Sequence, residues 1–480
     1  MNVLSAIFNF LLETICGVPM IAVILVAGLT LTIVLRGVQF RRFGFALRHC
    51  FSGAFRKNTQ KGSVTPFQAM CTALAATVGT GSIAGVAGAI SIGGPGAVFW
   101  MWVSALFGMA TKYSEITLAV HFRQKNASGD WVGGPMYYIR NGLSKKWHWL
   151  AGAFSVCCAV AALGTGNMTQ VNTIASSVNT AIQSFVPAAA EYTLVVNIIV
   201  GVLIAAIVAL VLLGGITRIG KVTEKLIPVM SILYILGTLM VVIINYQHIG
   251  SAFQLIFDSA FNPRAMGGGL AGITIIKVME KGIGRGIFSN EAGLGSAPIA
   301  HASSDTDSPV RQGMFGILEV FLATFMICTL TALTILTSGI TVPYGMDSGA
   351  ALTTQAVASV FGSGAASIFM AVAVILFALS TILGWGIYGA RSIEYLFGTR
   401  SIRIYQYIYI AVAVVGAVVN LKIVWSIADL TNCFMAVPNL IGVVALSGVV
   451  RKLTKEYFSR PSKLSCSDSP SCTASKEMVK

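Results

Sequence analysis

Apolar runs of bilayer length recur along almost the whole 480-residue chain, separated by short polar connections. A helix crosses about 30 Å of hydrocarbon with about 20 residues, at about 1.5 Å per residue. A window of that length picks out spans at 14–35, 66–92, 96–122, 149–183, 193–214, 226–245, 265–288, 314–338, 366–390, 404–421 and 429–450. The pattern predicts an all-α polytopic membrane protein of about eleven transmembrane helices in one domain over residues 1–450, with no separate soluble domain. Glu13 rather than a basic segment precedes the first run, and Arg36, Arg41 and Arg42 follow it, so it reads as a retained span and not a secretory signal. Residues 451–480, whose end is rich in Ser, Pro and Lys, read as a disordered tail.

Composition agrees with a chain solvated by lipid. Hydrophobic residues make up 55% and charged residues 10%, against about 25% charged in soluble proteins. The net charge of +15 would suit a nucleic-acid partner if it lay on one soluble face, but the basic residues sit in short loops. The lipid bilayer is therefore the expected partner, and no nucleic acid is. Arg and Lys gather after the first, third, fifth, ninth and last spans and, as Lys281, Arg285 and Arg311, around the end of the seventh. The loops between, at 93–95, 184–192, 246–264, 339–365 and 422–428, hold only Arg264 and Lys422. Because cytoplasmic loops accumulate Lys and Arg, the N-terminus is expected outside and the C-terminus in the cytoplasm. The nine cysteines form no CxxC or Cys/His cluster and read as packing residues and free thiols.

Glycine interruptions depart from a plain apolar bundle. Thr77, Gly79, Thr80, Gly81 and Ser82 crowd the middle of the second span. An unwound turn there would present amides, at the positive end of the resumed helix, to a carboxylate, and carbonyls to a cation such as sodium. Close helix packing through small residues is the plainer reading of Gly81, Gly85 and Gly88. A second interruption favours the site: Gly267, Gly268, Gly269 and Gly272 lead to Thr274 in the seventh span, with Gly282, Gly284, Gly286, Gly293 and Gly295 beyond. Broken helices opening two groups of five spans point to inverted repeats, 66–245 and 265–450, with the first span as an extra.

Two other spans offer site walls. The fourth carries a polar cluster from Thr165 to Gln170, and the ninth carries Ser380 and Thr381, whose hydroxyls could complete an oxygen-only cation shell with carbonyls of a broken helix. Their plainer readings are interhelical hydrogen bonds and hydroxyls bonded back to their own helix. Lys112 and Glu115 read as a structural ion pair, and no carboxylate is expected beside the glycine break, which favours sodium over a proton relay. The aromatic run from Phe99 to Trp102 reads as an interfacial anchor.

The stretch from Gly93 to Trp102 (GGPGAVFWMW) continuing to Lys112–Glu115, and the stretch from Gly286 to Ala302 (GIFSNEAGLGSAPIAHA), resemble signatures of the sodium:alanine symporter family. The resemblance covers essentially all of residues 1–450. It implies the five-plus-five inverted-repeat fold, a prokaryotic plasma membrane, and transport of alanine or glycine with a cation, sodium being the coupling ion with no organic cofactor. By that resemblance Thr80 and Gly81 offer amides to the substrate carboxylate. The carbonyls of Ala75 and Val78 join Ser380 and Thr381 around sodium, and Gln170, Thr274 and Trp385 line a pocket for small side chains. The family usually has Asn where this chain has Ser82, which puts in question a further cation or substrate contact with Thr77.

A channel would show a polar stripe along several spans, whereas the polar residues here cluster at one depth. An intramembrane enzyme would need paired catalytic groups, yet the five histidines fall in loops or at span ends. The topology is testable with a reporter enzyme fused after residue 130 or after residue 350. The two fusions are expected to report opposite compartments, and the same compartment for both would sink it.

Overall fold

The computed structural model describes residues 16–53, 64–262, 274–346, 349–419 and 421–459. Among these, paired strands occur only in one short antiparallel loop, β1 (Gln124–Lys125) with β2 (Trp131–Val132). The main helices begin with α1 (Val18–Val34), the pair α2 (Pro66–Thr77) and α3 (Ala84–Gly93), α4 (Ala97–His121) and α5 (Lys145–Phe185). Then come α6 (Thr193–Leu212), α7 (Gly215–Ile244), α8 (Ile249–Phe261), α9 (Ile275–Asn290), the short α10 (Ala297–His301) and α11 (Pro309–Thr337). The chain continues through α12 (Gly349–Phe361), α13 (Ser363–Phe397), α14 (Ser401–Val418), α15 (Leu421–Ala445) and α16 (Ser447–Ser459).

Among the described residues six helices are long and apolar enough to cross a membrane, or up to eight if each bent pair counts as one span. The sequence reading of about eleven adds elements such as α9, which carries Lys277, Glu280, Lys281 and Arg285 along its length. Large apolar side chains of α6 and α7, among them Leu203, Leu210 and Leu236, point outward, as a lipid-facing surface requires. The core runs along α13, whose Phe377, Trp385 and Tyr388 are fully buried.

Several expectations change. Of the second interruption, Gly267, Gly268, Gly269 and Gly272 lie outside the described residues, α9 runs unbroken through Gly282, Gly284 and Gly286, and only Gly293 and Gly295 stand at a break. That break follows Asn290. Residues 451–459, read as tail, continue α16, bent by 54° from α15. The aromatic run packs on α8 and α11: Trp100 Nε1 donates to Ala260 O (3.2 Å) and Phe99 packs edge-on against Phe257 and Phe261 on α8, while Trp102 Nε1 donates to Thr329 Oγ1 (2.8 Å) on α11. Lys281 lies against Gly93 at the far end of α3, whereas Arg311 opens α11 beside Gln312, which donates to Pro66 O at the start of α2. Lys281 and Arg311 thus sit at opposite ends of the bundle, so the basic residues expected together around the end of the seventh span do not share one side.

The start of α2 is fixed locally. Thr65 and Gln68 exchange bonds of 3.1 Å in a capping box with Pro66 in the first turn, and Gln68 Nε2 reaches Glu224 on α7 at 2.9 Å. Just ahead, Val64 bonds both sides of the segment after α10, its N–H donating to Ser303 O (3.3 Å) and its carbonyl accepting from Asp305 N (2.8 Å). Arg123, at the end of α4, clamps the same segment by donating to the carbonyls of Ala302 (3.2 Å), Ser304 (2.6 Å) and Thr306 (2.8 Å), with its guanidinium 4.3 Å above the Trp131 ring. Burial lowers the Arg123 pKa from its ordinary value, against the opposing pull of Asp305 and Asp307. The ends of α2 and α10 are thereby closed on one another. Charge-assisted bonds contribute about 1.5–3 kcal/mol each, so Arg123→Ala is expected to cost at least about 2 kcal/mol and lower the thermal unfolding midpoint in detergent. An unchanged midpoint would show that the clamp does not hold this seal.

Candidate functional site

Between α2 and α3 the helix bends by 60° across a single turn at Thr80–Ser82. The turn rests on α13. Ser380 Oγ donates to Ala75 O (3.1 Å) as well as to its own Phe377 O (2.8 Å), and Thr381 Oγ1 donates to Phe377 O (3.0 Å). A Cβ on Gly79 would stand 2.3 Å from Thr381 Oγ1, and one on Gly81 would stand 2.9 Å from the Phe288 ring, so both positions need glycine for close approach. Thr80 and Gly81 supply the first amides of the resumed helix, positions that have no acceptor within it.

The second break lies between α9 and α10. Glu291 ends α9 in the left-handed region at φ 53°, which is uncommon outside glycine, and Gly293 and Gly295 follow at φ 94° and 78°. The freed backbone groups are taken up from α4 and α15. Lys112 Nζ donates to Asn290 O at 3.0 Å; Glu115 Oε1 accepts from Gly293 N (3.1 Å) and from Asn439 Nδ2 (2.5 Å), which also donates to Gly293 O (2.8 Å). Lys112 and Glu115, both fully buried, thus hold the two sides of the break. No ion pair between them is found among the described residues, contrary to the sequence reading. His301, at the end of α10, is also fully buried, 2.5 Å from Glu319 on α11.

The two breaks enclose a cavity of about 20 Å³, room for about one water. Its walls are Ala76, Thr77, Gly79, Thr80 and Gly81 from the first break, Phe288, Glu291 and Leu294 from the second, Thr165 and Gln170 from α5, Thr381 and Trp385 from α13, and Asn432 from α15. Thr80 Oγ1 donates to Gln170 Oε1 (3.0 Å), and Gln170 Nε2 to Thr165 O (3.0 Å). Thr165 and Gln170 share a wall because Gly164–Met168 is a π-turn, whose repeat is about five residues. Glu291 Oε1 accepts from Trp385 Nε1 at 2.9 Å and Oε2 from Ser296 Oγ at 2.5 Å. Phe288, Leu294 and Asn432 also line a larger cavity of about 690 Å³, whose walls include Lys277, Glu280, Lys281, Arg285 and Asp429. They separate this charged vestibule from the small cavity.

The structure brings Thr77, Thr80, Gly81, Gln170, Thr381 and Trp385 to the cavity, and Ala75, Val78 and Ser380 to the buried contact beside it. Thr77 spends its hydroxyl on Ala73 O (3.1 Å) and Leu74 O (3.3 Å) of its own helix. Ser82 turns away from the cavity to Ser289 Oγ at 3.1 Å. Thr274 is not brought there: it caps the exposed start of α9, about 24 Å of helix from the break at 1.5 Å per residue. Sequence reasoning missed Glu291 and Asn432. Glu291 overturns the expectation that no carboxylate stands beside the glycine break. Its signal was present, since it sits in the motif between Asn290 and Gly293.

The family model described as the sodium:alanine symporter family matches residues 1–468. The chain belongs to this family. Among its curated relatives, the sodium/alanine symporter AgcS of Methanococcus maripaludis is 43% identical over 92% of this chain and 94% of its own length. The probable sodium/glutamine symporter GlnT of Bacillus subtilis is 35% identical over 91% of this chain and 87% of its own. The fold is similar to that of MhsT solved with L-phenylalanine (TM-score 0.54, 14% identity, covering 81% of this chain and 89% of that one). A manganese transporter of Eremococcus coleocola is similar at TM-score 0.52 and 15% identity, over 88% and 93% of the two chains. The chain is accordingly a member of a sodium-coupled amino-acid symporter family with an all-α transporter fold.

For this symporter-family chain Gly79→Ala is a direct probe, because the added methyl displaces the Thr381 hydroxyl from the first break. Sodium dependence of uptake or of thermal unfolding is expected to shift to concentrations higher by about tenfold or more, about 1.4 kcal/mol. An unaltered dependence would count against the expectation that Thr381 contacts the cation.

Proposed function

We propose that this protein imports a small neutral amino acid, alanine or glycine, with sodium by alternating access. The observation that carries the reading is the shared cavity: two broken helices meet around a volume that admits one small group, with amides at one break and hydroxyls and carbonyls beside it. In this reading the amides of Thr80 and Gly81 hold the substrate carboxylate, with Gln170 and Trp385 limiting side-chain size. Sodium sits among the carbonyls of Ala75 and Val78 and the hydroxyls of Ser380 and Thr381. Thr274, at the far end of α9, has no part. Ser82 joins the first break to α9 through Ser289, so its departure from the family's usual residue bears on coupling between the breaks.

The spans are read as eleven, one extra helix followed by two inverted groups of five, in a prokaryotic plasma membrane with the N-terminus outside and the C-terminus inside. On that orientation the charged vestibule opens outward and the Arg123 clamp closes the cytoplasmic side. Exchange of access then requires the seal between Val64 and Ser303 to part while Phe288 and Leu294 close over the site. A membrane potential of about 100 mV contributes about 2.3 kcal/mol per cation carried inward, enough for useful accumulation with one sodium ion.

Proton coupling is the second reading, favoured by three buried carboxylates, Glu115, Glu291 and Glu319, at or near the second break. Proteoliposomes separate the two. Uptake of labelled alanine is expected to follow an inward sodium gradient and to be unaffected by a pH gradient of equal size; equal uptake with and without sodium would reject sodium coupling.

A further inference from the structure

Far from the central cavity, α1 ends in a turn through Arg36 and Gly37, both in the left-handed region at φ 55° and 64°. Arg36 and Glu291 are the two residues other than glycine that adopt this backbone among those described, and a side chain there is held against its own preference. The turn brings Arg36, Arg41 and Arg42 to face Arg451 and Lys455 of α16 around a cleft of about 310 Å³, a size at which small ligands are held (about 300–1,000 Å³). Among the described residues no carboxylate lines the cleft; Glu456, the acidic residue of α16, is exposed and stands outside it. None of the five cations has an ion-pair partner among the described residues. The Arg42 guanidinium lies 4.0 Å over the Phe458 ring and joins the two walls, with Phe45 edge-on to Phe458 behind it. Phe45 also stacks on His49, which accepts from Arg311 Nε (3.4 Å) at the start of α11, so the cleft lies at the sealed end of the bundle.

Enrichment of Lys and Arg on one side of a membrane accounts for how many there are. It does not account for five of them, from opposite ends of the chain, converging on one cleft, where like charges repel unless an anion stands among them. Arginine forks match phosphate oxygens in particular. The surroundings point to where that phosphate comes from: Ile33, Phe40 and Leu47 are 67%, 58% and 40% exposed next to the cationic residues, a pairing of outward apolar groups with a basic pocket that suits acyl chains below a headgroup. We propose that this cleft binds the phosphate of an anionic phospholipid, with its acyl chains lying along the apolar residues beside it. A phosphate held there ties the end of α1 to α16. The site is separate from the central cavity and does not depend on which solute that cavity carries.

The test uses the purified full-length protein stripped of lipid in a neutral detergent, with thermal unfolding followed against phosphatidylglycerol, phosphatidylcholine, glycerol phosphate and inorganic phosphate at matched concentrations. Phosphatidylglycerol is expected to raise the unfolding midpoint in a saturable way, and the other three to leave it in place. The double variant Arg36→Gln with Lys455→Gln removes one charge from each wall and is expected to weaken phosphatidylglycerol binding by about 25-fold, about fivefold per charge. A control variant, Arg48→Gln with Lys452→Gln, removes the same charge from exposed positions outside the cleft and is expected to bind as wild type does. Equal weakening in the control would mean diffuse attraction to a basic protein and would overturn the site. Equal stabilisation by phosphatidylcholine would overturn its charge selectivity, and equal stabilisation by glycerol phosphate or inorganic phosphate would make the ligand a soluble phosphate and overturn the lipid. These wild-type arms stand even where a variant does not fold.

Discussion

Backbone amides and carbonyls released inside an apolar medium must find partners, and both breaks in this fold exist on that condition. The second break meets it with charge. Lys112 and Glu115 come from one helix, three residues apart, and reach opposite sides of the turn after Asn290, with Asn439 closing the bridge from α15. Two ionisable groups buried in this way are tolerated because each ends on hydrogen bonds to peptide groups that would otherwise have none. The first break uses neutral oxygens instead, the hydroxyls of Ser380 and Thr381 lying against the end of α2. The two turns thus differ in electrostatic character while meeting at the same cavity.

That difference organises the rest of the site. A neutral, carbonyl-rich turn suits a cation stripped of water, and a turn carrying Glu291 suits a group that brings its own positive charge. The π-turn in α5 supports both by placing Thr165 and Gln170 on one wall, from which Gln170 reaches Thr80 and Thr165 reaches Asn432. Shape selection follows from the same packing: Phe288 lies over Gly81 and Trp385 is held by Glu291, so two aromatic rings leave a volume of about 20 Å³. Any larger occupant must displace one of these rings, and both are tied to the second break.

The mechanical consequence is that the site and its closures share elements. Glu291 and Arg123's clamped segment flank the same short helix α10, with His301 of that helix held by Glu319. Only about five residues of helix, with no long linker, separate the break from the seal at Val64. These are the packed, hydrogen-bonded elements through which coupling between site and seal would pass.

Much of this was legible along the chain. Hydrophobic run length determined the all-α membrane character, because an unbroken apolar run of about 20 residues satisfies its backbone in lipid as a helix, whereas a barrel strand needs a short alternating segment. The crowding of Gly79, Thr80, Gly81 and Ser82 located the first break, because glycine and hydroxyl residues are what an unwound turn within a membrane needs. The motif around Glu291 marked the family. The location of the second break was not fully legible, since Gly282, Gly284 and Gly286 look like an interruption in sequence just as Gly293 and Gly295 do, but lie within α9, where Gly282 and Gly286 pack closely on α4 and Gly284 faces Ile21 of α1. Nor could the chain alone show that Lys112 and Glu115 would serve a turn about 178 residues away rather than each other, that a π-turn would bring Thr165 beside Gln170, or that Thr274 would stand at the far end of its helix. Local sequence determined which segments could break; which of them did, and what their exposed groups then faced, was decided by partners distant in sequence, because a buried peptide group is stabilised only by whatever the completed fold places within hydrogen-bonding distance.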